Sequence, residues 1–374
     1  MRIVFSTDQI YLHGGIEKVM TEKANYFTDV LGYEVFILTT EQKEKKPCYT
    51  LSSKIELTDL DINYIRDKSY FHPNNLVKIP HHFRQWKKAI KNINPDFIIV
   101  CNYAFDFYWT PFCLIKIHKL KEFHSSKYFV ERARKKDYIF KKWNRSLDDF
   151  IESKYTRLIV LNEDEKEFYK SKNIEIIPNP VTVPKDIQAK LQNKKAIAAG
   201  RIAPVKGYEN AIRAWKEIAS QETDWELHIF GQGEPEYVAQ LQDLIRISNL
   251  EKNVFIKKAV EDLQHRMTDY SLYIMTSHTE CFPMVLLESL AIGLPIVSFD
   301  CPTGPRNIIT NNEDGFLVEN QSVKKLVVKI LLLIKNEELR IEMGYKAKKN
   351  ANRFATDRVM SKWKELLIDL KKYD

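Results

Sequence analysis

Short apolar runs alternate with amphipathic stretches along the chain. "RIVFS" reads as a buried strand, and a loop ending in "HGG" follows it. The next run, "IEKVMTEKANYFTDVLG", puts Ile16, Val19, Met20, Ala24 and Phe27 on one helix face, with Gly32 suited to the C-cap. "EVFILTT", "PDFIIVCN", "RLIVLN" and "IEIIPNPV" continue as strands, the second announced by Pro95 and Asp96. Around Val181 to Lys195 the pattern breaks into a proline-rich stretch that reads as a linker.

The alternation then restarts. "AIAAG", "ELHIFGQG", "NVFIKK", "LYIMTS", "PIVSFD" and "GFLVE" read as strands, and "YENAIRAWKEIAS" as a helix between the first two. Strands alternating with helices predict parallel sheets covered on both faces. Two such arrays predict an α/β chain of two doubly wound, Rossmann-like domains facing a central cleft. The divisions expected are 1–184, 185–355 and a C-terminal helix over 356–374 that crosses back to the first domain. Ligands of such sheets bind beyond the carboxyl ends of the strands.

Composition narrows the class. With 374 residues, the chain is long for one core and natural for two. Hydrophobic residues at 44% and charged residues at 29% fit a globular protein and exclude a disordered one. The 5 cysteines include no CxxC pair, which reads as reduced thiols and not as a disulfide framework or zinc site. The start "MRIVFSTDQ" is too polar for a signal peptide, and no apolar run reaches the ~18 residues of a membrane span. A cytoplasmic protein, peripheral on the inner face of the cell membrane or free of it, is the expectation.

Charge is unevenly spread. Lys116 to Arg145 holds 11 Lys and Arg against 3 Asp and Glu, enough to match the net charge of +8 of the whole chain. Phe129, Tyr138, Phe140 and Trp143 interleave with these cations. Nucleic acid, an acidic polymer or anionic lipid headgroups are the partners that such a segment would suit; a solvated helix face over a core stripe is the alternative.

Candidate chemistry sits at strand ends. "GRIAPVKGYENAIRAW" sets Arg201 at the end of one strand and Lys206 before a helix, two cations apt for a diphosphate. Gly14 and Gly15 open the first helix, where glycine permits close backbone approach and free amides suit an anion; a tight turn explains them equally well. Gly231 and Gly233 of "FGQGE" carry the same two readings. In "HTECFPMVLLESLAIGLPIV", Glu280 lies in a loop, Pro283 suits the first helical position, and Glu288 lies under two turns into the helix. Carboxylates are acceptors for sugar hydroxyls, and first-turn amides suit phosphate. Asp59 and Asp61 of "LTDLDINY" form a DxD triplet far from these motifs, read as a surface loop feature; no metal or other cofactor is expected.

The GG loop, the His of "EFHSS", "VLNEDEKEFY", "IPNPV", GR-x4-KG, "FGQGE" and E-x7-E followed by "GLPIV" occur in order over nearly the whole chain. In this the chain resembles the retaining glycosyltransferases of GT-B fold, family 4 (glycosyl transferases group 1). The resemblance implies a hexosyl- or N-acetylhexosaminyl-transferase using a nucleotide sugar. By it, Glu280 holds donor-sugar hydroxyls, Glu288 the ribose, and Arg201 and Lys206 the diphosphate. Backbone around Phe282, Pro283, Met284 and Val285 touches sugar and phosphate, Gly15 meets the diphosphate and acceptor, and His124 sits beside the transferred sugar. It further implies a lipid-linked or growing glycan as acceptor, as in bacterial capsule or lipopolysaccharide synthesis, and no nucleic-acid partner. Many relatives carry Glu where Asn307 stands and Gly where Lys258 stands, so the base is open, with uridine favoured. Competing readings are another GT-B enzyme, such as an epimerase or phosphorylase, and a basic nucleic-acid-binding protein.

Overall fold

The computed structural model describes residues 1–101, 104–114, 116–128 and 139–372. The chain forms two compact units: Met1–Pro178 with Met360–Asp374 is unit 1, and Asn179–Val359 is unit 2. The division falls before the expected 184/185 because Val181 already pairs with Ala355 in a parallel bridge. The chain re-enters unit 1 within the helix Thr356–Lys372.

Unit 1 holds seven strands: β1 (Arg2–Thr7), β2 (Glu34–Thr39), β3 (Glu56–Asp59), β4 (Phe97–Val100), β5 (His118–Glu122), β6 (Arg157–Val160) and β7 (Ile174–Ile176). They pair in the order β3-β2-β1-β4-β5-β6-β7, every pair parallel. Order reverses between β1 and β4, so the loops leaving these two strands part to opposite faces. The core on one face joins Val4, Ile98, Val100 and Leu158 to Trp86 and Ile90 of the helix Ile79–Ile93. At the carboxyl edge, Tyr70 Oη donates to Asp8 (3.2 Å), and burial pushes the Asp8 carboxyl up to about 6 against the pull of Arg66.

Unit 2 holds β8 (Lys195–Ala199), β9 (Glu226–Phe230), β10 (Val254–Lys257), β11 (Leu272–Met275), β12 (Ile296–Phe299) and β13 (Gly315–Val318). Their order is β10-β9-β8-β11-β12-β13, again all parallel, with the reversal between β8 and β11. Trp215, Ile212 and Ile218 of the helix Tyr208–Ala219 pack with Leu227, Ile229, Leu272 and Ile274 in its core.

Three expectations need correction. The DxD triplet is not a loop feature throughout: Asp59 ends the edge strand β3. Its carboxylate accepts from Thr39 Oγ1 (3.1 Å) and from the amides of Lys43 (3.2 Å) and Asp61 (3.3 Å). Pro283 is the N-cap of the helix Met284–Ala291, not its first residue. The segment from Lys116 to Arg145 is not one outward face. Lys119 and Lys121 are buried on β5, and buried Lys127 pairs with both oxygens of Glu152 (2.5 and 2.7 Å). Phe129 and Tyr138, with the cations between them, lie outside the described residues.

Unit 1 also encloses an ion pair. Lys23, on the helix Gly15–Asp29, is bonded to Glu122 at the end of β5, and both side chains are almost fully buried. The Lys23 ammonium lies 4.8 Å from the ring of Trp363, on the returning helix. Removing one partner of a buried pair strands the other charge. Lys23→Met is expected to destabilise unit 1 by about 3–5 kcal/mol, read by denaturant unfolding; a change under about 1 kcal/mol would show that the pair is solvated like a surface one.

Candidate active site

The reversal between β8 and β11 brings two distant sequence stretches to one edge. Gly200 directly follows β8, with a φ of +147° that suits glycine, and Arg201 comes next with an exposed side chain. The 3₁₀ turn Pro204–Lys206 then carries Lys206 to Gly207, whose φ is +59°. β11 ends before Thr276, and its loop runs to Glu280.

The two loops are stitched together. His278 N donates to Val205 O (2.8 Å), and Thr276 Oγ1 to Lys206 O (3.3 Å). A methyl on Gly207 would overlap the Thr276 carbonyl. The side chains then meet: Lys206 Nζ lies 2.6 Å from Glu280 Oε1, and Ser277 Oγ donates to that same oxygen at 2.7 Å. The backbone of Glu280 is held from the other side, where Thr303 Oγ1 donates to its carbonyl at 2.5 Å. Gly304 lies so close that a Cβ there would stand 2.5 Å from Glu280 Cβ. A small pocket lies against Lys206, Ser277 and Glu280, backed by Tyr208, Tyr273 and Ala199.

Glu288 is buried in the helix Met284–Ala291, near enough to Tyr273 for its charge to act on the phenol. Phe282 is buried and packs edge-on against Phe354 at 5.5 Å, and Pro283 is also buried. Met284 and Val285 are half-buried in the first turn, where amides have no intrahelical acceptor. Arg201 carries no ion pair among the described residues, so of the two motif cations only Lys206 is engaged within the protein.

Gly231 and Gly233 both sit at close backbone contacts. A Cβ on Gly231 would overlap the Gly200 carbonyl, and one on Gly233 that of Ile202; Ile202 N donates to Gln232 O at 2.8 Å. These glycines let the β9 loop lie against the loop bearing Arg201. Asn307 donates to Thr303 O (2.5 Å), bracing the turn beside Glu280, and Lys258 is exposed just beyond β10.

The other two residues belong to unit 1. Gly15 is exposed and opens the helix Gly15–Asp29, behind the extended N-cap Gly14. His124 follows β5, with a side chain only 4% exposed and Nε2 3.5 Å from Glu122 Oε2. Burial opposes the charge on Glu122, but Lys23 and then His124 outweigh it, and the carboxyl lies below the usual carboxylate range. His124 is thereby tied through Glu122 to Lys23, on the helix that Gly15 begins.

Ser277, Thr303, Gly304 and Tyr208 were not singled out from sequence. Only Ser277 had a local signal, a small hydroxyl directly beyond a strand; the others reach Glu280 or its pocket through tertiary structure.

Cations on one loop and an acid on the next, at the edge where the strand order reverses, define a doubly wound α/β unit of the kind that binds ligands beyond its strand ends. Residues 182–350 match the family described as glycosyl transferases group 1, and residues 13–183 match glycosyltransferase family 4. The chain belongs to these family 4 glycosyltransferases and is a glycosyltransferase enzyme. An uncharacterized glycosyltransferase of Haemophilus influenzae is 28% identical over 95% of this chain and 96% of its own length. A poly(ribitol-phosphate) alpha-N-acetylglucosaminyltransferase of Staphylococcus aureus is 28% identical over 65% of this chain, which spans only 46% of that relative. An amylovoran biosynthesis glycosyltransferase of Erwinia amylovora is 28% identical over 60% of this chain and 65% of its own length. Among solved structures, sucrose-phosphate synthase of Thermosynechococcus elongatus superposes with a TM-score of 0.83 at 16% identity, over all of both chains. S. aureus TarM in complex with UDP and an alpha-GlcNAc-glycerol gives 0.77 at 17%, over 98% of this chain and 99% of that one. The fold is GT-B, with two doubly wound α/β domains.

The turn at Gly207 makes a stability prediction. Gly32 has a similar φ of +67° but open space around it, so Gly32→Ala should cost only the left-handed penalty of about 1–2 kcal/mol. Gly207→Ala adds overlap with Thr276 and is expected to lower thermal stability further; an equal or smaller loss would mean that the loop yields freely.

Proposed function

We propose that this enzyme transfers a hexose or N-acetylhexosamine from a UDP-sugar to a lipid-linked or growing glycan of a bacterial cell surface, with retention and without a metal ion. The observation that carries the reading is the Lys206–Glu280 pair at one strand edge, with Arg201 on the same loop as the lysine and Glu280 in the loop that leads into the helix Met284–Ala291. Names of relatives support the acceptor class: one acts on poly(ribitol-phosphate), another in amylovoran synthesis. Structures of similar fold support the donor, since TarM and a pneumococcal O-GlcNAc transferase were solved with UDP.

The chemistry follows from charge. Breaking a glycosyl–phosphate bond moves negative charge onto the diphosphate. Fixed cations and amides stabilise that charge more in the transition state than in the ground state. Arg201 can take two phosphate oxygens at once, and Lys206 supplies a mobile point charge. Glu280 accepts from hydroxyls of the donor sugar, and Glu288 from the ribose. We assign to Gly15 contact with the diphosphate and acceptor, and to His124 a place beside the transferred sugar, as the family resemblance gives them.

The protein is expected to release nucleoside diphosphate from one donor in a panel of nucleotide sugars. Glu280→Ala should cut transfer by about 10²–10³-fold while leaving the melting profile near native. Folded protein that neither binds nor turns over any donor would sink the reading.

We also propose that unit 1 meets an anionic membrane surface. Phe112 and Phe150 are each half exposed and stacked at 6.2 Å, and Lys154 lies over the Phe150 ring at 4.9 Å. Among the described residues no helix is long and apolar enough to cross a membrane. Anionic liposomes should sediment the protein at low salt, and Lys135→Glu with Lys136→Glu should release it. Unchanged sedimentation would remove the charged segment from that role.

A further inference from the structure

Lys206 and Glu280 are bonded to each other, yet the proposed reading asks each to serve a different part of one donor. The carboxylate is the fixed member. Ser277 holds its oxygen, Thr303 holds its backbone carbonyl, and Gly304 closes in behind Cβ. Lysine is the movable member, with a flexible four-carbon stem at the end of a short 3₁₀ turn. The Glu280 side chain is 10% exposed and that of Lys206 22%, so little water reaches either charge.

A diphosphate that draws Lys206 away therefore leaves Glu280 as a largely buried carboxylate with, among the described residues, only the Ser277 hydroxyl as donor. Such a charge is costly unless new donors arrive. An intact nucleotide sugar brings them, as hydroxyls on the sugar. A nucleoside diphosphate has no sugar there and brings none.

We propose that the Lys206–Glu280 ion pair is a specificity device that weakens binding of the nucleoside diphosphate relative to the intact sugar donor and helps to expel that product. This rests on the donor-site reading above. The lysine answers two anions, and the product satisfies only one. When the sugar departs with the acceptor, Glu280 regains its claim on Lys206, and the diphosphate loses a cation. Arg201, engaged in no ion pair among the described residues, has no such competition and favours both ligands alike.

The test measures UDP binding by calorimetry on the full chain, with GDP and inorganic pyrophosphate alongside. Glu280→Gln keeps shape and the bond from Ser277 but removes the charge that holds the lysine. It should bind UDP about three- to tenfold tighter than the native chain. Lys206→Met should bind UDP more weakly, and adding Glu280→Gln to it should restore nothing. That last arm separates competition for the lysine from simple repulsion between Glu280 and phosphate, since repulsion would be relieved with or without Lys206. Unchanged or weaker UDP binding by Glu280→Gln overturns the device, as does a gain that persists in the double variant. If the native chain binds none of the three probes, the donor-site reading itself falls, and the device with it.

Discussion

A parallel strand cannot turn straight back onto its neighbour, and that constraint organises both units. Each return must cross a face of the sheet, usually as a helix, so every strand points the same way and every carboxyl end lies on one edge. Where the strand order reverses, successive loops leave for opposite faces and open a crevice. In unit 2 that place lies between β8 and β11. It alone explains why Lys206 and Glu280, separated by 74 positions, share a hydrogen bond. The glycines around them follow from the same crowding: Gly207, Gly231, Gly233 and Gly304 each sit where another backbone or side chain leaves no room for a Cβ.

The constraint also explains which parts of the fold were legible in the sequence. Interior strands are buried on both faces, so β1, β4, β6, β11 and β12 stand out as apolar runs. Edge strand β3 needs little apolar surface, and "ELTD" gives no such signal; only its pairing with Phe36 to Thr39 makes it a strand. β5 misleads differently. "HKLKE" looks solvent-facing, yet Lys119, Lys121 and Glu122 are all buried. Lys121 lies against the carbonyls of Val100 (3.3 Å) and Glu122 (3.0 Å), and burial pulls its pKa down to about 8. Counting charge along the chain treats such residues as surface, because a partner such as Lys23, far off in sequence, is invisible to the count.

The candidate site divides along the same line. The cations and acids of the motifs were legible because their chemistry is local: a lysine before a helix, a glutamate after a strand. Their mutual arrangement was not. Ser277 grips the same oxygen as Lys206, Thr303 grips the Glu280 carbonyl, and the FGQG glycines admit close backbone packing. In unit 1 the same holds for His124. Its type and position were readable, whereas the chain from Lys23 through Glu122 that fixes the imidazole arises only when β5 packs beneath the first helix.

The two units thus handle buried charge in opposite ways. In unit 1, Lys23 and Glu122 are sealed, with Trp363 over the ammonium, and the pair can do little except hold shape. In unit 2, Lys206 and Glu280 keep some exposure, 22% and 10%, and border a pocket, and the lysine carries a flexible stem. An arginine at 206 would form a planar, two-point grip on Glu280 and release it reluctantly; a lysine makes a single point contact and can leave. The division of labour between Arg201 and Lys206 follows from that difference. The arginine stays exposed and outside any ion pair among the described residues, whereas the lysine is tied to the acid; under the proposed reading that tie couples the phosphate to the acid.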